Sequence, residues 1–450
     1  MRVCKSKPVV IILFSLCLVS ISNATNVIYV DANGPNDPGR GTFDDPFRRI
    51  QDAINAVIDG DTVEIRPGTY TGEGNYDLDP NGKSLTLKSV NPEESNIVSN
   101  TIINPNGAGR GFYFHSGNDA NCVVSGLTIT NANTGGKGGA IYCDYNNINI
   151  TNCIIRNNSA GVHGGGVFCH DSNLTMVDCV ISGNSATLDG GGLECWFGRS
   201  FIKNCFISNN HTLWADSKGG GLDCFNAGNS ALTNCTFVNN SAGSGGAVYC
   251  WGGSIAMNNN ILWANGANEG PQIALKPYLD TSSSVLVSYS NVQGREAMIY
   301  DPCSGLVWDD TNIDTDPCFA SFDPNGDPNM WDFHLQSAYG RWDPSSQSWV
   351  SDSNTSRCID AGDPNSDWSS ELWPNGRRIN MGAYGGTGQA SMNGNPADFD
   401  IDGSVNFVDF AEFSNKWSAK VPCIEDLTNN GVVDFADLRM FADNWLWQRQ

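Results

Sequence analysis

The chain has 450 residues, 50 of them glycine, and a formal net charge of −23 with only 16 % charged residues. That length leaves room for more than one domain. Phosphate binding needs a basic face, so a nucleic-acid partner is excluded, and acidity of this kind ordinarily serves solubility and cation binding.

Residues 1–24 read as a secretory signal peptide. Arg2, Lys5 and Lys7 form a basic start, an apolar run extends from Val9 to Ile21, and Ser22-Asn23-Ala24 suits cleavage. Leu16 stands where a lipoprotein signal wants a small residue before Cys17. No later apolar run reaches membrane length, so no transmembrane segment is expected in the mature chain. The expected location is secreted or cell surface. A short helix is predicted from about Phe47 to Val57, in the position of an N-terminal cap.

Five phrases recur: "GGAIYC" ending at Cys143, "GGGVFC" at Cys169, "GGGLEC" at Cys195, "GGGLDC" at Cys224 and "GGAVYC" at Cys250. A second column holds Cys153, Cys179, Cys205 and Cys235, with Asn260 in the fifth unit. A third holds Asn158, Asn184, Asn210, Asn240 and Asn265. Short β-branched runs split by Gly and Asn are strands and turns, and one such unit cannot bury its own apolar face. Stacked units can, which gives a mainly β, right-handed parallel β-helix whose open end the Phe47–Val57 helix would cover. Ile141, Val167, Leu193, Leu222 and Val248 share the cysteines' inward face. The asparagines are expected to form a ladder from coil to coil.

Reduced, buried thiol ladders are the expected state of the cysteines, with pairing inside one coil, such as Cys143 with Cys153, as the alternative. Cys303 and Cys318 lie outside the ladders and read as an ordinary disulfide.

The phrases "GGAI", "GGGV" and "GGAV", each followed by "[IFL]xxN" (Ile155 to Asn158, Ile181 to Asn184, Phe237 to Asn240), resemble the repeats of polymorphic outer membrane proteins and of pectin-lyase-like right-handed β-helix proteins. "IYVDANGPNDPGRGTFDDPFRRIQDAINAVIDGDTVEIRPGTY" resembles the opening segment of secreted bacterial β-helices. No series of ten-residue alternating strands appears after residue 300, so the membrane barrel of the polymorphic family is not expected. Residues 25–275 are therefore read as the β-helix with its N-terminal cap. Residues 276–395, rich in Trp, Asp and Pro, are read as final irregular coils, a C-terminal cap and a linker.

Residues 396–450 hold a duplication: "DFDIDGSVNFVDFAEFSNKW" from Asp398 and "DLTNNGVVDFADLRMFADNW" from Asp426. Alternate oxygens around a glycine turn suit Ca²⁺. The first loop offers Asp398, Asp400, Asp402, the Ser404 carbonyl, Asn406 and Asp409. The second offers Asp426, Asn430, the Val432 carbonyl, Asp434 and Asp437, with Thr428 where a carboxylate or amide is expected. The pair resembles a type I dockerin, a small α-helical calcium-binding domain, and that resemblance implies a cohesin-like protein partner. Dockerins are commonly appended to polysaccharide-degrading enzymes and surface proteins.

Strand alternation places the residues flanking each cysteine of the first column outward. They are Tyr142, Phe168, Glu194, Asp223 and Tyr249 before it, and Asp144, His170, Trp196, Phe225 and Trp251 after it. Exposed aromatics with carboxylates suggest a polysaccharide groove; coverage by loops or a cap is the plainer alternative. Glu194 and Asp223 fall on adjacent rungs, about 5 Å apart, near the separation of retaining glycosidases. That spacing would also suit one calcium ion, and chance exposure of two acids is the plainer reading. The face offers no Arg or Lys base, and five histidines look too scattered for a zinc site. Two classes stay open: a protein that associates with extracellular polysaccharide, or degrades it as a glycoside hydrolase or lyase, and a non-catalytic adhesion or structural β-helix.

Overall fold

The computed structural model describes residues 26–115, 121–400, 404–419, 424–428 and 431–446. The signal-peptide reading lies outside the described residues. Among the described residues no helix is long and apolar enough to cross a membrane.

The repeat folds as a parallel β-solenoid. In one coil the strands are Val167–His170, Leu174–Val177, Val180–Ser182 and Ser185–Ala186. The first two belong to one continuous sheet, the third to a nine-stranded sheet and the fourth to a four-stranded one. The chain must bend sharply between them. At one corner stand Asn152, Asp178, Asn204, Asn234 and Asn259, all with φ of 52–60°. At the next stand Asn157, Gly183, Asn209 and Asn239, also at positive φ. Asn tolerates this left-handed region better than other side chains do, which accounts for the asparagine-rich composition.

The predicted columns stack in register. Cys143, Cys169, Cys195, Cys224 and Cys250 pair rung to rung, continued by Phe114 at one end and Leu275 at the other. All these cysteines are buried and free. In the second column each thiol donates to the carbonyl two residues earlier, as Cys179 Sγ does to Val177 O at 3.2 Å. Asn260 takes over where the cysteine is missing, its Oδ1 accepting from Cys235 N at 2.8 Å.

The third column is a continuous amide ladder. Asn184 Nδ2 donates to Asn210 Oδ1 at 3.0 Å, Asn210 Nδ2 to Asn240 Oδ1 at 3.0 Å, and Asn240 Nδ2 to Asn265 Oδ1 at 3.0 Å. Each Oδ1 also accepts the backbone N–H of the asparagine one coil away, and each Nδ2 also donates to a backbone carbonyl such as Ile181 O. Both ends of a buried amide are thus satisfied.

The N-terminal helix spans Ile50–Ala56, inside the predicted range, and buries Ile50, Ala53 and Ile54 in the main core. Three readings need correction. The coils do not turn irregular at residue 276: Ser283–Ser288 and Leu306–Trp308 continue the same sheet in parallel. The segment after them is not an end cap but a layer on the solenoid's flank. Phe206 packs against Tyr384 at 4.7 Å and Phe333 at 5.8 Å, and Asn204 Nδ2 donates to the carbonyls of Ala383 and Gly385. Phe319, Leu335, Cys358, Ile359 and Met381 form its core with Val238 and Ile261 of the nine-stranded sheet. The Cys303–Cys318 disulfide is also absent: both thiols are free. Cys303 belongs to the end of the solenoid core, with its thiol on Asp301 Oδ1, whereas the Cys318 thiol turns to Asp316 O.

Asn210→Ala would orphan the buried Asn184 N–H and break both lateral amide bonds, so we expect a loss of about 3 kcal/mol in urea unfolding. Asn173 makes a similar amide bond to Asn147 at an exposed corner; there the same substitution should cost less than about 1 kcal/mol.

Candidate functional site

The ring-bearing face forms, but alternation alone misjudges half of it. The column after the cysteines is half-exposed, as expected for Asp144, His170, Trp196, Phe225 and Trp251. In the column before them Tyr142 is half-buried, while Phe168, Glu194, Asp223 and Tyr249 are 0–2 % exposed. The cause lies in the glycine phrase. Gly164, Gly190, Gly219 and Gly245 adopt φ of 62–68°. This folds the preceding segment over the strand: a Cβ on Gly190 would sit 2.4 Å from Glu194 Cβ, and one on Gly219 2.6 Å from Asp223 Cβ. Only glycine permits that roof.

Glu194 and Asp223 do occupy adjacent rungs. Their exposure as a carboxylate pair does not hold, because both lie beneath the roof. Burial pushes both carboxyls well above the ordinary range. Trp196 Nε1 donates to Glu194 Oε1 at 2.6 Å. The roof also supplies lysines to a face on which strand alternation places none. Lys137 Nζ lies 3.9 Å from the Trp196 ring centroid and 4.6 Å from that of Phe168, and burial lowers its pKa. Lys218 Nζ is 3.6 Å from Asp189 Oδ1. The histidines are not all scattered either: His163 stands with Asp189 and Glu194. Lys137, His163, Asp189 and Lys218 each precede the left-handed glycine. That column is visible in the repeat, but it falls outside the strand.

The rings run along the solenoid without a break. Centroid separations are 5.1 Å from Tyr113 to Tyr142, 5.5 Å on to Phe168, 5.2 Å to Trp196, 5.4 Å to Phe225, 4.8 Å to Trp251 and 5.5 Å to Tyr278. Tyr145 and Phe197, each with positive φ at the rim, are exposed. His170 Nδ1 is 2.7 Å from Asp144 Oδ1, and its Nε2 is 3.3 Å from Asp171 Oδ2. Rings, carboxylates and an imidazole therefore share one accessible edge.

A second concavity, of about 860 Å³, opens between the solenoid and the flank layer. Lys203, Phe206, Trp342, Trp349 and Tyr384 line it, with Asp178 held above its ordinary pKa by burial. It depends on contacts between segments far apart in sequence, so no local pattern signals it.

At the C-terminus two helices, Phe407–Asn415 and Phe435–Asp443, come after the two loops. Asn406 and Asp434 cap them, with Asp409 and Asp437 completing capping boxes. Phe399, Phe413 and Phe441 stack between the halves, 5.4–6.4 Å apart. In the first loop Asp398, Asp400 and Asp409 bring carboxylate oxygens within 4.8 Å of one another. In the second, Thr428 Oγ1 donates to Asp437 Oδ1 at 2.8 Å, and Asp426 Oδ2 accepts from Gly431 N. Ser404 and Val432 are among the described residues of the two loops, whereas Asp402 and Asn430 lie outside them.

A sequence profile described as disaggregatase related matches residues 252–362, and the Chlamydia polymorphic membrane protein repeat matches residues 234–250. The second match falls on the coil that carries Asn240 and Cys250, one of those bearing the repeat resemblance. No curated protein matches. Among solved structures, a pectate lyase, Pel9A, is similar at 17 % identity and TM-score 0.37, covering 82 % of this chain and 97 % of that one. A rhamnogalacturonan lyase has 13 % identity and TM-score 0.28, covering 68 % and 94 %. A pectin methylesterase in complex with a hexasaccharide has 14 % identity and TM-score 0.29, covering 69 % and 88 %.

Trp196→Ala removes the donor from a buried carboxyl and uncovers Phe168, so it should cost about 3 kcal/mol in chemical unfolding. Trp251 donates only to Pro277 O at an exposed position; its substitution by Ala should cost about 1 kcal/mol. Equal losses for the two would contradict the roofed arrangement.

Proposed function

We propose that this chain is an exported β-solenoid that binds extracellular polysaccharide along the strip from Tyr113 to Tyr278, and that its C-terminal module holds Ca²⁺ and docks to a cohesin-type protein. The observation that carries the first part is the row of half-exposed rings at Tyr113, Tyr142, Trp196, Phe225, Trp251 and Tyr278, linked beneath the roof by the buried Phe168 and edged by Tyr145, His170, Phe197 and Asp144. Aromatic faces take the apolar faces of sugars, and neighbouring carboxylates take hydroxyls. The reading is of binding rather than cleavage: Glu194 and Asp223, the candidate catalytic pair, are roofed from any polymer lying on the strip.

The calcium reading rests on the crowding of Asp398, Asp400 and Asp409. Asp402, the Ser404 carbonyl and Asn406 would complete the first site, and Asp426, Asn430, Val432, Asp434 and Asp437 the second. Ca²⁺ would supply the charge that lets these carboxylates stay close. The cohesin partner and the export route rest on the dockerin and signal-peptide resemblances.

Glycan-array binding should fall at least about tenfold in the Phe197→Ala/Trp251→Ala double variant, a loss of about 1.4 kcal/mol. Trp342→Ala/Trp349→Ala should leave it unchanged. The reverse pattern would move binding to the flank cleft and overturn the strip assignment.

For the module, hydrogen exchange on the full chain should show that EDTA removes protection from the helices Phe407–Asn415 and Phe435–Asp443 but not from the coils. Asp400→Ala should weaken calcium binding. Unaltered protection after EDTA, with no heat on calcium titration, would end the calcium reading and with it the docking proposal.

A further inference from the structure

Beneath the ring strip three side chains converge in a way the glycan reading does not use. His163 Nδ1 lies 3.2 Å from Glu194 Oε2 and 3.9 Å from Asp189 Oδ2. The three residues offer ligand atoms all within 4.8 Å of one another. The Glu194 side chain is wholly buried, and those of His163 and Asp189 are 12 % and 16 % exposed.

Each carboxylate is held by its other oxygen. Asp189 Oδ1 accepts from the Lys218 backbone N–H at 2.8 Å and lies 3.6 Å from the Lys218 ammonium. Glu194 Oε1 accepts from Trp196 Nε1 at 2.6 Å. The inner atoms are left over: His163 Nδ1 and Glu194 Oε2 are buried without a hydrogen-bond partner. Orphaned atoms of this kind are rare in native interiors and call for a cause. Ligands oriented by a second contact on their far side are a usual feature of metal sites.

We propose that His163 Nδ1, Asp189 Oδ2 and Glu194 Oε2 bind one divalent transition-metal ion of the zinc type. The donor set, two carboxylates and a neutral imidazole, suits a dication, beside the Lys218 ammonium that faces the other oxygen of Asp189. The imidazole nitrogen selects against Ca²⁺ and Mg²⁺, which take oxygen ligands, so the site is chemically distinct from the C-terminal loops. Three protein ligands leave one tetrahedral position for a solvent or ligand oxygen. The His163 ring lies 5.0 Å from that of Trp196, which places the ion directly under the strip.

Without an ion, one arrangement relieves both orphans: Glu194 keeps its proton and donates it to His163 Nδ1. A metal replaces this proton, so the two states exclude each other.

The test is zinc titration of the full chain in excess Ca²⁺, which occupies the C-terminal loops. Wild type should bind one Zn²⁺ per chain and unfold at a higher temperature. His163→Ala and Glu194→Gln should each bind more than about tenfold more weakly, while Asp400→Ala should bind as wild type does. Should either strip variant fold poorly, a zinc-edge anomalous difference map of wild-type crystals decides the matter, with its peak expected between His163 and Glu194. Failure of wild type to bind Zn²⁺, equal affinity in all variants, or a peak elsewhere would overturn the proposal and leave the proton-sharing pair. None of these outcomes bears on glycan binding, which the ring variants test.

Discussion

The amide of Asn210 touches three coils at once. Its oxygen takes the backbone and side-chain N–H of Asn184, while its nitrogen gives to Ile181 O and to Asn240. Repeated from Asn158 to Asn265, this bond sets the vertical register of the solenoid. A slip of one residue would leave every amide in the column unpaired inside the protein, at a cost of about 1–3 kcal/mol for each. The thiol columns, the aliphatic column, the rings and the roofing residues all inherit their alignment from it.

Strict register has a chemical consequence. Like residues on adjacent rungs are forced to within about 5 Å. For rings this is favourable, and the strip from Tyr113 to Tyr278 results. For Glu194 and Asp223 it is not, since two buried carboxylates side by side cannot both ionise without compensation. The roof column sets Lys137 and Lys218, which favour ionisation, against Asp189, which opposes it, and the N–H groups of Gly138, Gly164 and Gly190 donate to the carbonyls of His163, Asp189 and Lys218 one coil on. The ring strip and the buried polar cluster are thus two sides of the same stack.

Much of this is legible in the sequence because the period is. Each column named from the five glycine phrases stacks where it is expected, and a short helix follows each of the two C-terminal acidic stretches. The failures share a physical origin. Alternation along a strand states which way a side chain leaves the sheet, but not what covers it. The roof over Glu194 depends on the left-handed Gly190, outside the strand. The flank layer reads as an end cap in sequence because its contacts, such as Asn204 with Ala383, join residues 179 apart and leave no local pattern. That Cys303 and Cys318 both lie outside the ladders is the ground for pairing them, whereas Cys303 packs on the end of the solenoid core and the Cys318 thiol turns to Asp316 O.

The central claim is that the ring strip is the surface this solenoid presents to polysaccharide. A crystal structure of the full chain with an array-selected oligosaccharide tests it most directly. Sugar rings are expected over Phe225 and Trp251, with hydroxyls directed to His170 and Asp144. Sugar bound between Trp342 and Trp349, with the strip bare, would contradict the claim.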